Sequence, residues 1–208
     1  MKKYFSILVF LFLVNFGYGQ VTTTFRTNAS DFTITNKEIY KVINNATSQS
    51  CTIIVGAPQL PVTTQSFALP AGAVVSNLSV VNGSKIVMGG GNLLVYPAQP
   101  PCIVGKPCPD FTGPDPAIYN SNTPFPATTA TISNDVTTFG YRVVTINICP
   151  FEYLPKDKLL YRFDQINITI NYIIGAVEYT ARISQRRHEI NQDFVKGIVQ
   201  NPKNILVI

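Results

Sequence analysis

Tryptophan is absent from this sequence, histidine occurs once, as His188, and only 13% of the residues are charged. The lone histidine closes most catalytic routes at once, because zinc sites and nucleophile–base pairs draw heavily on that side chain. Asp110, Asp115, Asp157 and Asp164 show neither zinc nor EF-hand spacing, so no metal or other cofactor is expected. Serine hydrolysis lacks its Gly-x-Ser-x-Gly elbow. Basic runs stop at pairs such as Arg186-Arg187, and without a basic stripe a nucleic-acid partner has no electrostatic footprint. A cysteine nucleophile would need His188 as its base, and that residue lies in a polar tail. The chain is therefore read as non-catalytic.

A long apolar run is also missing. The stretch from Ile7 to Val14 is far shorter than the roughly 20 apolar residues that span a bilayer. It follows Met1-Lys2-Lys3 and precedes Gly17-Tyr18-Gly19-Gln20, which is the pattern of a secretory leader (residues 1–19) cut after Gly19. Export to the periplasm, cell surface or medium is expected, with no membrane attachment after cleavage. Loss of Lys2 and Lys3 takes the basic residues from 16 to 14 against 11 acids, so the net charge falls from +5 to +3.

Four cysteines in an exported chain point to disulfides, and sequence alone allows three pairings. Cys102 and Cys108 bracket Ile-Val-Gly-Lys-Pro, a segment able to turn, and are the first choice. Cys51 and Cys149 then pair by default, provided that their Cα atoms come close enough.

What the chain has in quantity is strand signal. Val144, Ile146 and Ile148 alternate with polar residues, as do Ile166, Ile168, Ile170 and Tyr172. The apolar parity is odd at Leu159, Tyr161 and Phe163, so the frame slips by one near Asp164-Gln165, which a bulge or bend would produce. Val177 to Ile183 reads as a hairpin partner after Gly175. Pro58 to Leu69, Val74 to Val81 and Leu93 to Tyr96 read as further β pieces. Gly89 to Gly91 leads into a strand, not a helix, and is no phosphate cradle. The expected fold is an all-β antiparallel sandwich, jelly-roll-like, over residues 20–184. A polar linker, helical in part, follows over 185–204, and the apolar Ile205 to Ile208 reads as the first strand of a further domain. The stiff Pro- and Gly-rich segment from Pro97 to Pro126 is the candidate functional loop.

The order of short motifs then becomes informative. Gly56-Ala57-Pro58-Gln59-Leu60-Pro61, Phe67-Ala68-Leu69-Pro70-Ala71-Gly72 and Leu94-Val95-Tyr96-Pro97-Ala98-Gln99-Pro100-Pro101 are followed by Tyr119-Asn120-Ser121-Asn122, Gly140-Tyr141-Arg142-Val143-Val144 and Cys149-Pro150-Phe151-Glu152-Tyr153-Leu154-Pro155. This series resembles the N-terminal propeptides of gingipain-type cysteine peptidases. The resemblance implies a β-sandwich prodomain that keeps a caspase-like catalytic domain latent during export and aids its folding, the partner being its own or a cognate peptidase. Gingipains favour Arg or Lys at the cleaved bond, so the resemblance makes Lys106, the only basic residue between Cys102 and Cys108, the candidate inhibitory residue. Arg142 is a second, weaker candidate because it heads a strand. Processing is expected at Arg186, Arg187 or Lys196. The competing readings are an exported adhesin or carbohydrate-binding module, with Tyr119, Tyr153, Tyr161 and Tyr172 as a sugar platform, or a stand-alone inhibitor.

Overall fold

The computed structural model describes residues 17–48, 50–70, 72–175 and 185–205. β-Branched residues alternating with polar ones drive most of this chain into antiparallel strands. In order these are β1 (Gly17–Arg26), β2 (Phe32–Lys37), β3 (Tyr40–Asn45), β4 (Thr63–Leu69), β5 (Ala73–Asn82), β6 (Lys85–Met88), β7 (Ala130–Thr138), β8 (Tyr141–Ile148), β9 (Phe151–Leu154), β10 (Leu159–Phe163) and β11 (Gln165–Ile174). Two helices join them, α1 (Pro116–Tyr119) and α2 (Gln185–Ile198).

The strands form four small sheets, ordered β1-β11-β5, β4-β8-β7, β6-β10-β9 and β2-β3. The first two face each other as a sandwich, and Ile166, Ile168 and Ile170 of β11 meet Val144, Ile146 and Ile148 of β8 in one core cluster. A second cluster lies beyond one end, where Phe32, Ile43, Leu60, Val95, Phe151, Tyr153 and Leu160 pack together. The all-β expectation therefore holds. Of Pro58 to Leu69 only Thr63–Leu69 becomes a strand, and Val95 makes a single bridge to Lys41. Pro58, Pro61 and Pro97 cannot donate to a ladder, which keeps the bridges there isolated.

The frame slip expected near Asp164 is real. It separates β10 from β11, which belong to different sheets. The parity expected within β10 holds at its end, where Phe163 is buried, but not before it, where Leu160 and Arg162 are buried while Leu159 and Tyr161 are half-buried. Arg162 goes inward because its Nη1 donates to the carbonyl (2.8 Å) and hydroxyl oxygens of Thr27, so its polar head is hydrogen-bonded there. Several passages between the two core regions meet at this level. Thr27 N donates to Asp164 O (3.0 Å), Asp164 N to Ser84 O (3.1 Å), Gly83 N to Gln165 O (2.8 Å) and Phe163 N to Pro150 O (2.9 Å). The Asp164 carboxylate also accepts from Ser84 N at 2.8 Å.

The expected linker over 185–204 is instead a docked element. The short helical turn expected at Asp193 to Val199 extends to the whole of α2. Val195, Val199 and Ile205 are buried against Ala68, Tyr141 and Val143, on the face of the β4-β8-β7 sheet away from the sandwich core. Asn201 then pairs with Ala68 of edge strand β4 through two 2.8 Å hydrogen bonds, Ala68 N to Oδ1 and Nδ2 to Ala68 O, and so covers that edge. Ile205, expected to open a further domain, packs into this cluster. At the other end β1 takes in Gly17 to Gly19, ahead of the expected cut. The leader up to residue 16, the Val177 to Ile183 partner strand and residues 206–208 lie outside the described residues.

Gly83 tests the corner. A Cβ at this position would sit 2.3 Å from Asp164 Oδ1 and 2.6 Å from Gln165 Cγ, closer than real Cβ contacts. Gly83→Ala is expected to cost about 1–3 kcal/mol of stability, the range for overpacking a close contact. Urea unfolding of the full chain measures it, and an unchanged midpoint would refute the crowding argument.

Candidate inhibitory loop

The segment expected to carry function leaves the second core region at Ala98 and returns at Asp115. Both ends are fixed by backbone bonds to the Gly56 region: Gly56 N donates to Ala98 O (2.8 Å), Ala98 N to Ala57 O (2.7 Å) and Asp115 N to Gly56 O (2.9 Å). Gly56 has φ +81°, a left-handed conformation that suits a residue without Cβ. The Asp115 carboxylate accepts from Ala117 N at 2.9 Å and caps α1, so the returning chain enters a defined turn.

Inside these ends the Gln99 side chain forms a neck. Its Nε2 donates to the carbonyls of Pro97 and Thr112, and its Oε1 accepts from Thr112 N, each at 2.9 Å. The ring of Phe111 rests against Tyr40 (5.9 Å) and Tyr96 (5.8 Å), while Lys37 Nζ donates to the Tyr96 hydroxyl at 2.9 Å. Further out, Cys102 and Cys108 form the expected disulfide, with Cα atoms 4.7 Å apart. At the tip, Lys106 N donates to Ile103 O (3.0 Å) and closes a reverse turn with Gly105 at φ +82°. Every residue from Pro101 to Asp110 is exposed, and Val104 fully so. Lys106 thus projects from a loop constrained at its ends, neck and ring.

The other sequence-derived sites fare differently. The second disulfide does not form, and Cys51 and Cys149 are free thiols. Cys51 bridges to Pro61, whereas Cys149 directly follows β8, the strand that pairs with β4 on the other side of that chain. One strand therefore separates them, which implies a Cα distance near two strand spacings, about 9–10 Å, beyond the roughly 7 Å limit for a bridge. Cys51 Sγ instead accepts from Gln59 Nε2 at 3.0 Å. Burial pushes the Cys149 thiol up to about 12. Both line a groove of about 570 Å³ with Ile53, Ile54, Ile118 and Phe125. Arg142 is structural, its guanidinium holding Asp135 of β7 at 2.6 and 2.8 Å. Arg186 and Arg187 are exposed in the first turn of α2, and Lys196 is half-buried near its end, 4.0 Å from Asp193.

The tyrosine platform does not form. Tyr119 and Tyr153 are buried, and their hydroxyls donate to the carbonyls of Val95 and Leu93, each at 2.7 Å. Burial holds both phenols above the usual tyrosine range. Tyr161 and Tyr172 are half-buried on different sheets. Among the described residues no helix is long and apolar enough to cross a membrane, and no cluster of His, Cys, Asp or Glu could hold a metal. Sequence reasoning missed Gln99, Thr112 and Phe111. Gln99 stood inside a quoted motif, but nothing local says which backbone groups its amide will meet.

Comparison with curated proteins gives no match. Among solved structures the chain resembles the complex of Porphyromonas gingivalis RgpB pro- and mature domains, with TM-score 0.65 and 21% identity over 88% of this chain and 93% of that one. It also resembles gingipain K from the same organism, solved for insight into zymogenic latency, with TM-score 0.54 and 17% identity over 75% of this chain and 98% of that one. At these identities the likeness is one of fold, an antiparallel β-sandwich. The family model described as Propeptide_C25 matches residues 18–201, and the chain belongs to that family, the propeptides of gingipain-type C25 peptidases.

Thiol reactivity follows from the geometry. In the folded chain without reductant, half-buried Cys51 is expected to react with an aromatic disulfide reagent and Cys149 to resist it until the chain unfolds. One reactive thiol native and two in denaturant is the expected count. Two fast thiols in the native state would contradict the burial of Cys149.

Proposed function

We propose that this domain keeps a gingipain-type cysteine peptidase latent during export and assists its folding, with Lys106 occupying the peptidase specificity pocket. The observation that carries this reading is the placement of one exposed lysine on a tip held by the Gln99 neck and the Cys102–Cys108 ring. A loop ordered before binding loses less entropy on docking, so more of the contact energy appears as affinity. That the RgpB relative forms a complex of pro- and mature domains supports binding to a catalytic domain. Three of the domain's four cysteines are poor nucleophile candidates: Cys102 and Cys108 are consumed in the bridge, and Cys149 is buried with its thiolate disfavoured.

Titrating mature gingipain K with the wild-type chain and with Lys106→Ala tests the plug. Truncating a side chain that fills a specificity pocket is expected to weaken inhibition about 30-fold or more. Equal inhibition constants would remove Lys106 from the role.

Release of the peptidase requires a cut, and Arg186-Arg187 is the favoured place. Both side chains are exposed, and a first helical turn opens more readily than the docked end of α2, where Lys196 lies beside buried Val195 and Val199. Mass spectrometry of the mature enzyme is expected to show an N-terminus immediately after one of these arginines. A terminus before Arg186 would overturn the assignment.

A further inference from the structure

An exposed lysine in a specificity pocket is ordinarily a cleavage site, and something must make this one an inhibitor. The residue that follows Lys106 is Pro107, and Cys108 comes next. We propose that Pro107 makes Lys106–Pro107 a slowly cleaved bond, and that the Cys102–Cys108 bridge keeps the two ends together when the bond does open. This inference rests on Lys106 being the residue in the pocket.

Pro107 acts on the ground state first. Its ring disfavours the helical conformation for the preceding residue, so Lys106 is biased toward the extended backbone that edge-pairing peptides adopt when bound. The turn bond from Lys106 N to Ile103 O and the left-handed Gly105 hold the chain on the other side of the lysine. The loop thus presents its lysine at low ordering cost.

Its second effect is on the chemistry. The peptidase thiolate attacks the Lys106 carbonyl carbon, and the tetrahedral adduct collapses by breaking the bond from that carbon to Pro107 N. The nitrogen leaves as a secondary amine after taking a proton from the peptidase's general acid. In proline the Cδ methylene stands where other residues carry the amide hydrogen, and the ring fixes φ. The general acid must therefore approach a crowded, rotationally locked nitrogen, which slows acylation without changing what fills the pocket.

The bridge governs what happens after acylation. Lys106 is then a thioester on the peptidase, while Pro107 remains attached through Cys108, the disulfide and Cys102 to the same domain. Cys102 and Cys108 are 6 residues apart with Cα atoms at 4.7 Å, so the amine cannot diffuse away. Its high effective concentration favours the reverse step, in which Pro107 N attacks the thioester, expels the thiolate and restores the peptide bond. If water attacks instead, the products are a Lys106 carboxylate and a Pro107 ammonium group, still joined by the disulfide.

The test uses the full chain and gingipain K that has been reduced and then freed of reductant, mixed in equal amounts and followed by intact mass and peptide mapping of the 106–107 bond. Wild type is expected to stay uncut and inhibitory. Pro107→Ala, with Pro107→Gly as a second variant, is expected to inhibit initially within about threefold of wild type and to be cut at 106–107 at least about tenfold faster. Its cut form should show the mass of one added water and fall into two fragments only on reduction. Adding Cys102→Ser and Cys108→Ser should leave the cut ends unbridged within the still-paired sheets, so that the denatured cut chain gives two fragments without reductant, the bond is no longer remade and peptidase activity returns. Variants that melt at the wild-type temperature count as folded. Proline variants as persistent and uncut as wild type would overturn the role of Pro107, and fragments that separate without reduction in the bridged variant would overturn that of the disulfide. Inhibition that is independent of Lys106 would instead overturn the plug reading beneath them.

Discussion

The constraint on which the architecture depends is the passage of several strands between two core regions at one level of the molecule. β1 ends at Arg26, just before Thr27, the β5–β6 connection runs through Gly83 and Ser84, and β10 gives way to β11 at Asp164. Each passage exposes backbone groups that have left one ladder and not yet joined another, and buried groups of that kind must find partners. They find one another: Asp164 accepts from Thr27 and Ser84, Gln165 accepts from Gly83, and Arg162 reaches inward to Thr27. The sandwich core and the second cluster are thereby held in fixed relation, and the second cluster supports both ends of the Lys106 loop.

That relation explains how a surface loop from Pro101 to Asp110, exposed throughout, is a defined object. Its ends are bonded into the Gly56 region, its neck is tied by one glutamine amide, and its outer part is closed by a disulfide. The hydrogen bonds among these are individually small, about 1 kcal/mol net each. Their effect is to remove conformers that the free loop would otherwise sample, which lowers the ordering cost the loop would carry in any contact. Ile103 and Val104 stand exposed beside the lysine within the ring.

The outer face of the β4-β8-β7 sheet shows a second use of the same economy. A sheet two faces deep in apolar residues at Ala68, Tyr141 and Val143 needs cover, and α2 with Asn201 supplies it. Gln192, Val195 and Val199 fall on one helical face, a spacing visible in the sequence. The polar run from Ser184 to Glu189 reads instead as a linker, with a short helical turn only from Asp193. Similarly, the odd apolar parity at Leu159, Tyr161 and Phe163 implies an outward Arg162, whereas its inward place is set by the two oxygens of Thr27, 135 positions away.

By itself the sequence determined the all-β class, the alternation of β8 and β11, the frame slip near Asp164, the family, and the short disulfide around Lys106. These are local facts, fixed by side-chain period, turn chemistry and the reach of a few residues. Tertiary structure alone decided that Cys51 and Cys149 lie on opposite sides of an intervening strand, that Tyr119 and Tyr153 turn their hydroxyls into the core, that α2 docks, and that Gln99 closes the loop. Each of these depends on which distant backbone groups arrive beside a given side chain, and that is set by the pairing of strands far apart in the chain, which no local pattern encodes.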